Sequence, residues 1–103
     1  DQVSIEEQVR MILSRRFNIY YSGWVDESAL HRGHTGFPTG AGHYRLTLVS
    51  DDFINLSRLE RHRAVYDVLL DLLPTKIHAL TLELLTVAQW HEYDEKMREI
   101  KAK

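Results

Sequence analysis

Apolar residues recur at helical spacing in three stretches, and each stretch opens on a capping box, in which a hydroxyl and a residue three later satisfy each other's backbone amides. Ser4-Ile-Glu-Glu7 leads into Ile5, Val9, Ile12, Leu13 and Phe17. Ser57-Arg-Leu-Glu60 opens a stripe of Leu59, Val65, Tyr66, Leu69, Leu72 and Leu73, and Pro74 stops it. Thr86-Val-Ala-Gln89 precedes Trp90, Tyr93, Met97 and Ile100, in a charged C-terminal helix expected over 87–101. Between these stretches the pattern becomes strand-like. Asn18 to Asp26 is rich in aromatic and β-branched residues. Tyr44 to Val49 sets Tyr44, Leu46 and Leu48 against Arg45 and Thr47, and Ile77 to Leu85 sets His78, Leu80, Leu82 and Leu84 on one face.

The order αββαβα, with no repeat and no internal linker, predicts one α+β domain over residues 1–103 with its core over about 5–90. The expected architecture is a three-stranded mixed sheet with helices packed on one face. Strands one and two, joined by a loop, should pair antiparallel. Strands two and three, joined through a helix, should run parallel with a right-handed crossover. That arrangement brings the first loop and the starts of strands two and three to the same end of the sheet.

Composition narrows the function classes. A chain of 103 residues buries roughly two-thirds of its unfolded surface, enough for a core without staples. Its 44% hydrophobic and 27% charged content is that of a globular domain, and no apolar run is long enough for a membrane span. The net charge of −2 lacks the basic excess of a dedicated nucleic-acid binder, although Arg58, Arg61, His62 and Arg63 cluster at one helix start. There is no cysteine, so a soft-metal site must take its thiolates from another molecule. The chain begins on Asp1 and reads as an excerpt or a processed form. Its compartment is therefore unassigned: cytoplasmic for a bacterial chain, mitochondrial or another organelle for a processed eukaryotic one.

The remaining chemistry is histidine chemistry. Three of the six histidines fall in the glycine-rich stretch His31-Arg-Gly-His34-Thr-Gly-Phe-Pro-Thr-Gly-Ala-Gly-His43, and imidazole is a common metal ligand. Topology brings His31, His34, His43 and His78 toward one end of the sheet. Alternation turns His43 away from the face of Leu80 and Leu82, whereas the glycines of the loop allow His34 or His31 to reach His78.

Five blocks together resemble the BolA family: His31-Arg-Gly-His34 through Gly42-His43-Tyr44-Arg45, Leu48-Val-Ser-Asp-Asp-Phe53, Glu60-Arg-His-Arg63-Ala-Val-Tyr66, Ile77-His-Ala-Leu80, and Thr86-Val-Ala-Gln-Trp90. The resemblance implies a fold similar to class II KH domains, a partnership with monothiol glutaredoxins, and a role in iron–sulfur cluster assembly and trafficking. It implies His78 as one metal ligand and, in the histidine-loop subgroup, His34 as the second, with His31 and His43 less favoured. The implied cofactor is a [2Fe–2S] cluster shared with the glutaredoxin and its glutathione, and not held stably by this chain alone. Two departures stand out. Phe53-Ile-Asn55 replaces the family's Phe-x-Gly, and asparagine tolerates the left-handed conformation that such a turn needs. Thr86-Val87 replaces Thr-Pro, losing a first-turn proline and keeping the cap.

The other marked residues have plainer expectations. His62 reads as structural or partner-facing, His91 as solvent-exposed, and Trp90, Tyr93 and Met97 as core or rim packing. Gly33-His34-Thr35-Gly36 spells the KH-domain GxxG, but in a strand–strand loop rather than between two helices. Two rival functions follow. One is a nucleic-acid-binding transcriptional regulator that uses Arg58, Arg61, His62 and Arg63 on DNA. The other is a zinc hydrolase on His31, His34 and His78, which lacks a well-placed carboxylate base beyond Asp26 and Glu27. The chain is therefore expected not to be an enzyme, not to contact a membrane, and to be a monomer or a weak homodimer.

Overall fold

A computed structural model of the chain describes residues 3–28, 42–73 and 77–102, with the side chain of His78 outside that description. The described residues form α1 (Ile5–Arg16), β1 (Tyr21–Asp26), β2 (Gly42–Val49), α2 (Arg58–Val68), β3 (Ile77–Leu85) and α3 (Val87–Ala102), with 3-10 turns at Asp51–Phe53 and Leu70–Leu72. The sheet order is β1-β2-β3, antiparallel between β1 and β2 and parallel between β2 and β3. The end of β1 and the starts of β2 and β3 therefore share one end of the sheet.

The caps that set the helix starts differ in completeness. Ser57 and Glu60 form both bonds of the box, at 2.8 and 3.1 Å. Thr86 and Gln89 also do so, at 2.9 and 3.2 Å. At α1 the Ser4 hydroxyl accepts from the Glu7 amide at 3.2 Å, while Gln8 reaches back to the Val3 carbonyl at 3.0 Å.

Three boundaries depart from the pattern. Phe17 turns extended and ends α1, and its ring packs on Phe53 with centroids 5.4 Å apart. β1 begins at Tyr21 rather than Asn18, because the Asn18 amide donates to the Asp52 carboxylate at 2.8 Å instead of joining the ladder. The second helix ends at Val68, three residues into a stripe that runs on to Leu73. The chain tightens there into a 3-10 turn that still buries Leu69 and Leu72.

The core lies on the face of the sheet carrying Leu46, Leu48, Leu80, Leu82 and Leu84. It is completed by Val9 and Leu13 of α1, Val65 of α2, and Phe53, Leu69, Leu72 and Ile77. The third helix buries none of its residues fully; its Trp90 stacks on Tyr21 at 4.7 Å. Tyr21 pairs with Val49 and so has the parity of the opposite face, where Arg45, Ala79, Thr81 and Glu83 are exposed. That face is covered at its β1 side by α3, and Val49 is buried there, while the rest of it is exposed.

Candidate functional site

The two strands that frame the histidine segment are described up to Ser28 on one side and from Gly42 on the other. Asp26 pairs with Tyr44, and the Glu27 amide donates to the His43 carbonyl at 2.8 Å. The Ser28 amide donates to the Asp26 carboxylate at 2.9 Å, and the Ser28 hydroxyl accepts from the His43 amide at 3.1 Å. These bonds anchor the two ends of the segment 29–41 beside each other. His31 and His34 fall within that segment and lie outside the described residues.

His78 stands at the start of β3, at the same end. The register there is irregular: Gly42 pairs with Ile77 and His43 with Ala79, so His78 is the extra residue of a β-bulge. The expected alternation placed His78 on the face of Leu80 and Leu82. That alternation does not run through the bulge, because Ile77, of the other parity, is itself fully buried. Bulges of this kind re-aim a strand locally and leave one residue out of the ladder. His43, paired with Ala79, has the parity of Arg45 and Thr47, and is thus on the face opposite Leu80. Among the described residues, no group of three histidine, cysteine or carboxylate side chains could hold a metal ion.

The ring of Tyr44 stacks on Trp24 at 4.7 Å beside this end. Burial pushes its phenol above the ordinary value, the Asp26 carboxylate adds to the rise, and a hydrogen bond with Ser28 opposes it. Ser4, Ile5 and Glu6 of the α1 start join Trp24, Asp26 and Tyr44 around a cleft of about 260 Å³.

The basic cluster at the start of α2 divides by role. Arg58 and Arg63 are exposed, whereas Arg61 and His62 are half-buried. Arg61 donates through Nε to the Leu56 carbonyl at 3.1 Å, and through Nη1 to the Leu84 carbonyl at 3.1 Å and to Gln89 Oε1 at 2.9 Å. Its guanidinium also lies 5.8 Å from the centre of the Phe53 ring. Arg61 is therefore a clamp joining α2, β3 and α3, a role that its place in a run of basic residues gave no sign of. His62 Nδ1 lies 2.9 Å from the Arg58 carbonyl. His91 is exposed, with Nε2 3.4 Å from the Tyr20 hydroxyl.

The Asp51 and Asp52 pair has two roles that the apolar pattern around it does not single out. Asp51 accepts from the Val87 amide at 3.0 Å, capping α3, while Asp52 holds Asn18. The signal was local: two acids directly after a strand, with a helix N-terminus left to cap. At Asn55 φ is +71°, the left-handed turn anticipated from Phe53-Ile-Asn55.

Residues 13–89 match the model of the family described as BolA-like protein. This chain belongs to the BolA family. It is 36% identical over 87 residues to the DNA-binding transcriptional regulator BolA of Escherichia coli K12, covering 84% of this chain and 79% of that protein. It is 30% identical over 93 residues to the protein of the same name from Haemophilus influenzae, covering 90% and 87%. Among solved structures, the BolA domain of SufE1 from Arabidopsis thaliana superposes with a TM-score of 0.72 at 32% identity, covering 86% of this chain and 99% of that one. The solution structure of BolA1 protein from Mus musculus gives 0.73 at 30% identity, over 90% and 73%. The α+β architecture is that of BolA structures.

Proposed function

We propose that this BolA-family chain is the partner of a monothiol glutaredoxin in iron–sulfur cluster assembly and trafficking, and that His34 and His78 are its ligands to a [2Fe–2S] cluster. It acts as a binding and delivery protein rather than an enzyme. The observation that carries the reading is the sheet topology. An antiparallel β1–β2 pair and a parallel β2–β3 pair set both anchors of segment 29–41 beside the bulge that contains His78.

The donor chemistry fits. A chain without cysteine offers no thiolate, so the thiolates come from the glutaredoxin and its glutathione. The cluster is cargo held between two proteins, and imidazole in place of thiolate leaves it less negative and raises its reduction potential. The task of this chain is to present two neutral imidazoles at one sheet end. Ligation therefore weakens as pH falls through the imidazole range near about 6.5.

The test is a titration of the chain into cluster-loaded monothiol glutaredoxin, followed by visible absorption and circular dichroism. A spectral change that is lost in His78→Ala and weakened in His34→Ala supports the reading. An unchanged spectrum with the wild-type chain refutes it.

A second reading, DNA binding, is favoured by the names of the Escherichia coli and Haemophilus influenzae relatives. Arg58 and Arg63 would be its exposed phosphate contacts. A mobility shift at physiological salt that Arg58→Ala and Arg63→Ala abolish supports it. Arg61 is unsuited to that test because its side chain is also bonded to Leu56, Leu84 and Gln89.

A further inference from the structure

The third strand is the outer strand of the sheet, so its far edge faces away from β2. The Leu85 carbonyl accepts from the Ser50 amide on the β2 side, while the Leu80 and Leu84 carbonyls accept from Tyr66 and Arg61 of α2. Successive residues of a strand point their backbone groups to alternate sides, so the outward positions are Leu80, Leu82 and Leu84. Two of these three carbonyls are already held, at 2.7 and 3.1 Å. A complete added strand is thereby blocked, the protection an exposed edge needs. Leu82 remains between them and opens into a groove of about 360 Å³ lined by Arg58, Arg61, His62, Gln89 and the end of β3.

We infer that this groove docks a short acidic segment of a partner protein, with a carboxylate on Arg61 and Arg58 and an apolar neighbour against the half-buried Leu85. Arg61 carries the argument. Its Nε and Nη1 donors are spent on three fixed acceptors, which orient the guanidinium. The two Nη2 donors have no partner among the described residues. A guanidinium so held has lost its rotamer freedom before any ligand arrives, and it matches a carboxylate geometrically. Exposed Arg58 adds a second cation. Glu83, which also borders the groove, has its carboxylate engaged by the Thr47 hydroxyl at 3.2 Å.

Charge selects a peptide over a nucleic acid. Two guanidiniums and one imidazole suit one carboxylate, whereas polyanion affinity grows with the number of phosphates neutralised. The whole chain, groove included, has net charge −2, which disfavours a polyanion more than a short segment bearing few carboxylates. The groove lies at the end of β3 and the histidine segment at its start. Docking here is independent of the function proposed above and compatible with it.

The test uses isotope-labelled full chain, a capped octapeptide of alternating leucine and aspartate, its leucine–asparagine counterpart, and an eight-nucleotide oligothymidylate. Expected are saturable amide shifts at Arg58, His62 and Leu82 to Leu85 with the aspartate peptide, with binding about tenfold weaker for the asparagine peptide. Arg58→Glu should weaken the aspartate peptide by about tenfold or more while leaving distant amides unmoved, which shows that the fold is kept. Equal binding of both peptides, or no saturable shift below about 1 mM, overturns the inference. Tighter binding of the oligonucleotide at the same amides overturns it in favour of nucleic acid.

Discussion

The guanidinium of Arg61 donates to the backbone carbonyl of Leu84 at 3.1 Å, tying the first turn of α2 to the outer edge of β3 across 23 positions of sequence. The same side chain holds the Leu56 carbonyl and Gln89 Oε1, so removing it takes the side-chain donor from two backbone carbonyls and leaves Gln89 Oε1 with the Thr86 amide alone. Arg61→Ala should cost about 1.5–3 kcal/mol in urea denaturation, the range for hydrogen bonds to a charged group. Arg61→Lys should not restore it, because an ammonium lacks the planar fork. Arg63→Ala, at an exposed position, should stay within about 0.5 kcal/mol of wild type. A neutral Arg61→Ala would show that the clamp contributes nothing.

The Tyr66 hydroxyl closes the Leu80 carbonyl at 2.7 Å. Tyr66→Phe should cost about 1 kcal/mol. It should also speed hydrogen exchange along β3 near Leu80, since the edge loses one of its covers. Unchanged exchange there would mean that water replaces the hydroxyl at no cost.

Asn55 holds φ at +71° without the glycine that makes such a turn easy. Asn55→Gly should be neutral or slightly stabilising in thermal unfolding, while Asn55→Val should destabilise by at least about 1 kcal/mol, since a β-branched residue is strained there. If valine is tolerated, the turn relaxes out of the left-handed region.

Gly42 begins β2 where an added Cβ would meet the ring of Tyr44. Gly42→Ala should push that ring off Trp24 and cost about 1–3 kcal/mol, as overpacking does. Loss of the near-ultraviolet circular dichroism of the Trp24–Tyr44 stack is the signature to look for.

Two groups give pH dependence of opposite sense. The Glu60 carboxyl is held below the ordinary glutamate value, first by the Ser57 amide and then by the Ser57 hydroxyl. A depressed carboxyl stabilises the fold above its unfolded value and loses that contribution as pH falls through its folded one. Glu60→Gln, which keeps an acceptor and carries no titratable proton, should flatten acid unfolding in that window. The Tyr44 phenol is raised above 10.0, first by burial and then by Asp26. Its contribution is complete below that value and is lost as pH rises through the folded pKa. Asp26→Asn should lower the Tyr44 titration midpoint in phenolate absorbance only partly, because burial is the larger cause.

What was legible in the sequence was local chemistry and the topology that follows from it. The hydroxyls Ser4, Ser57 and Thr86 mark three helix starts because an orphan amide lies two or three residues away. The left-handed turn at Asn55 and the alternation of Leu80, Leu82 and Leu84 are likewise set by neighbours in the chain. From these the strand pairing followed, since a short loop permits antiparallel neighbours and a helical crossover requires parallel ones. The tertiary structure decided what depends on residues far apart. Segment 44–48 alternates, yet β3 bulges at His78 because Ile77 must fill the core while Ala79 still pairs with His43. Arg61 looked like one cation among four, and became a clamp because Leu84 and Gln89 arrive beside it only on folding. A carbonyl 23 residues away leaves no mark on the pattern around Arg61; the packing of α2 along the β3 edge creates that bond.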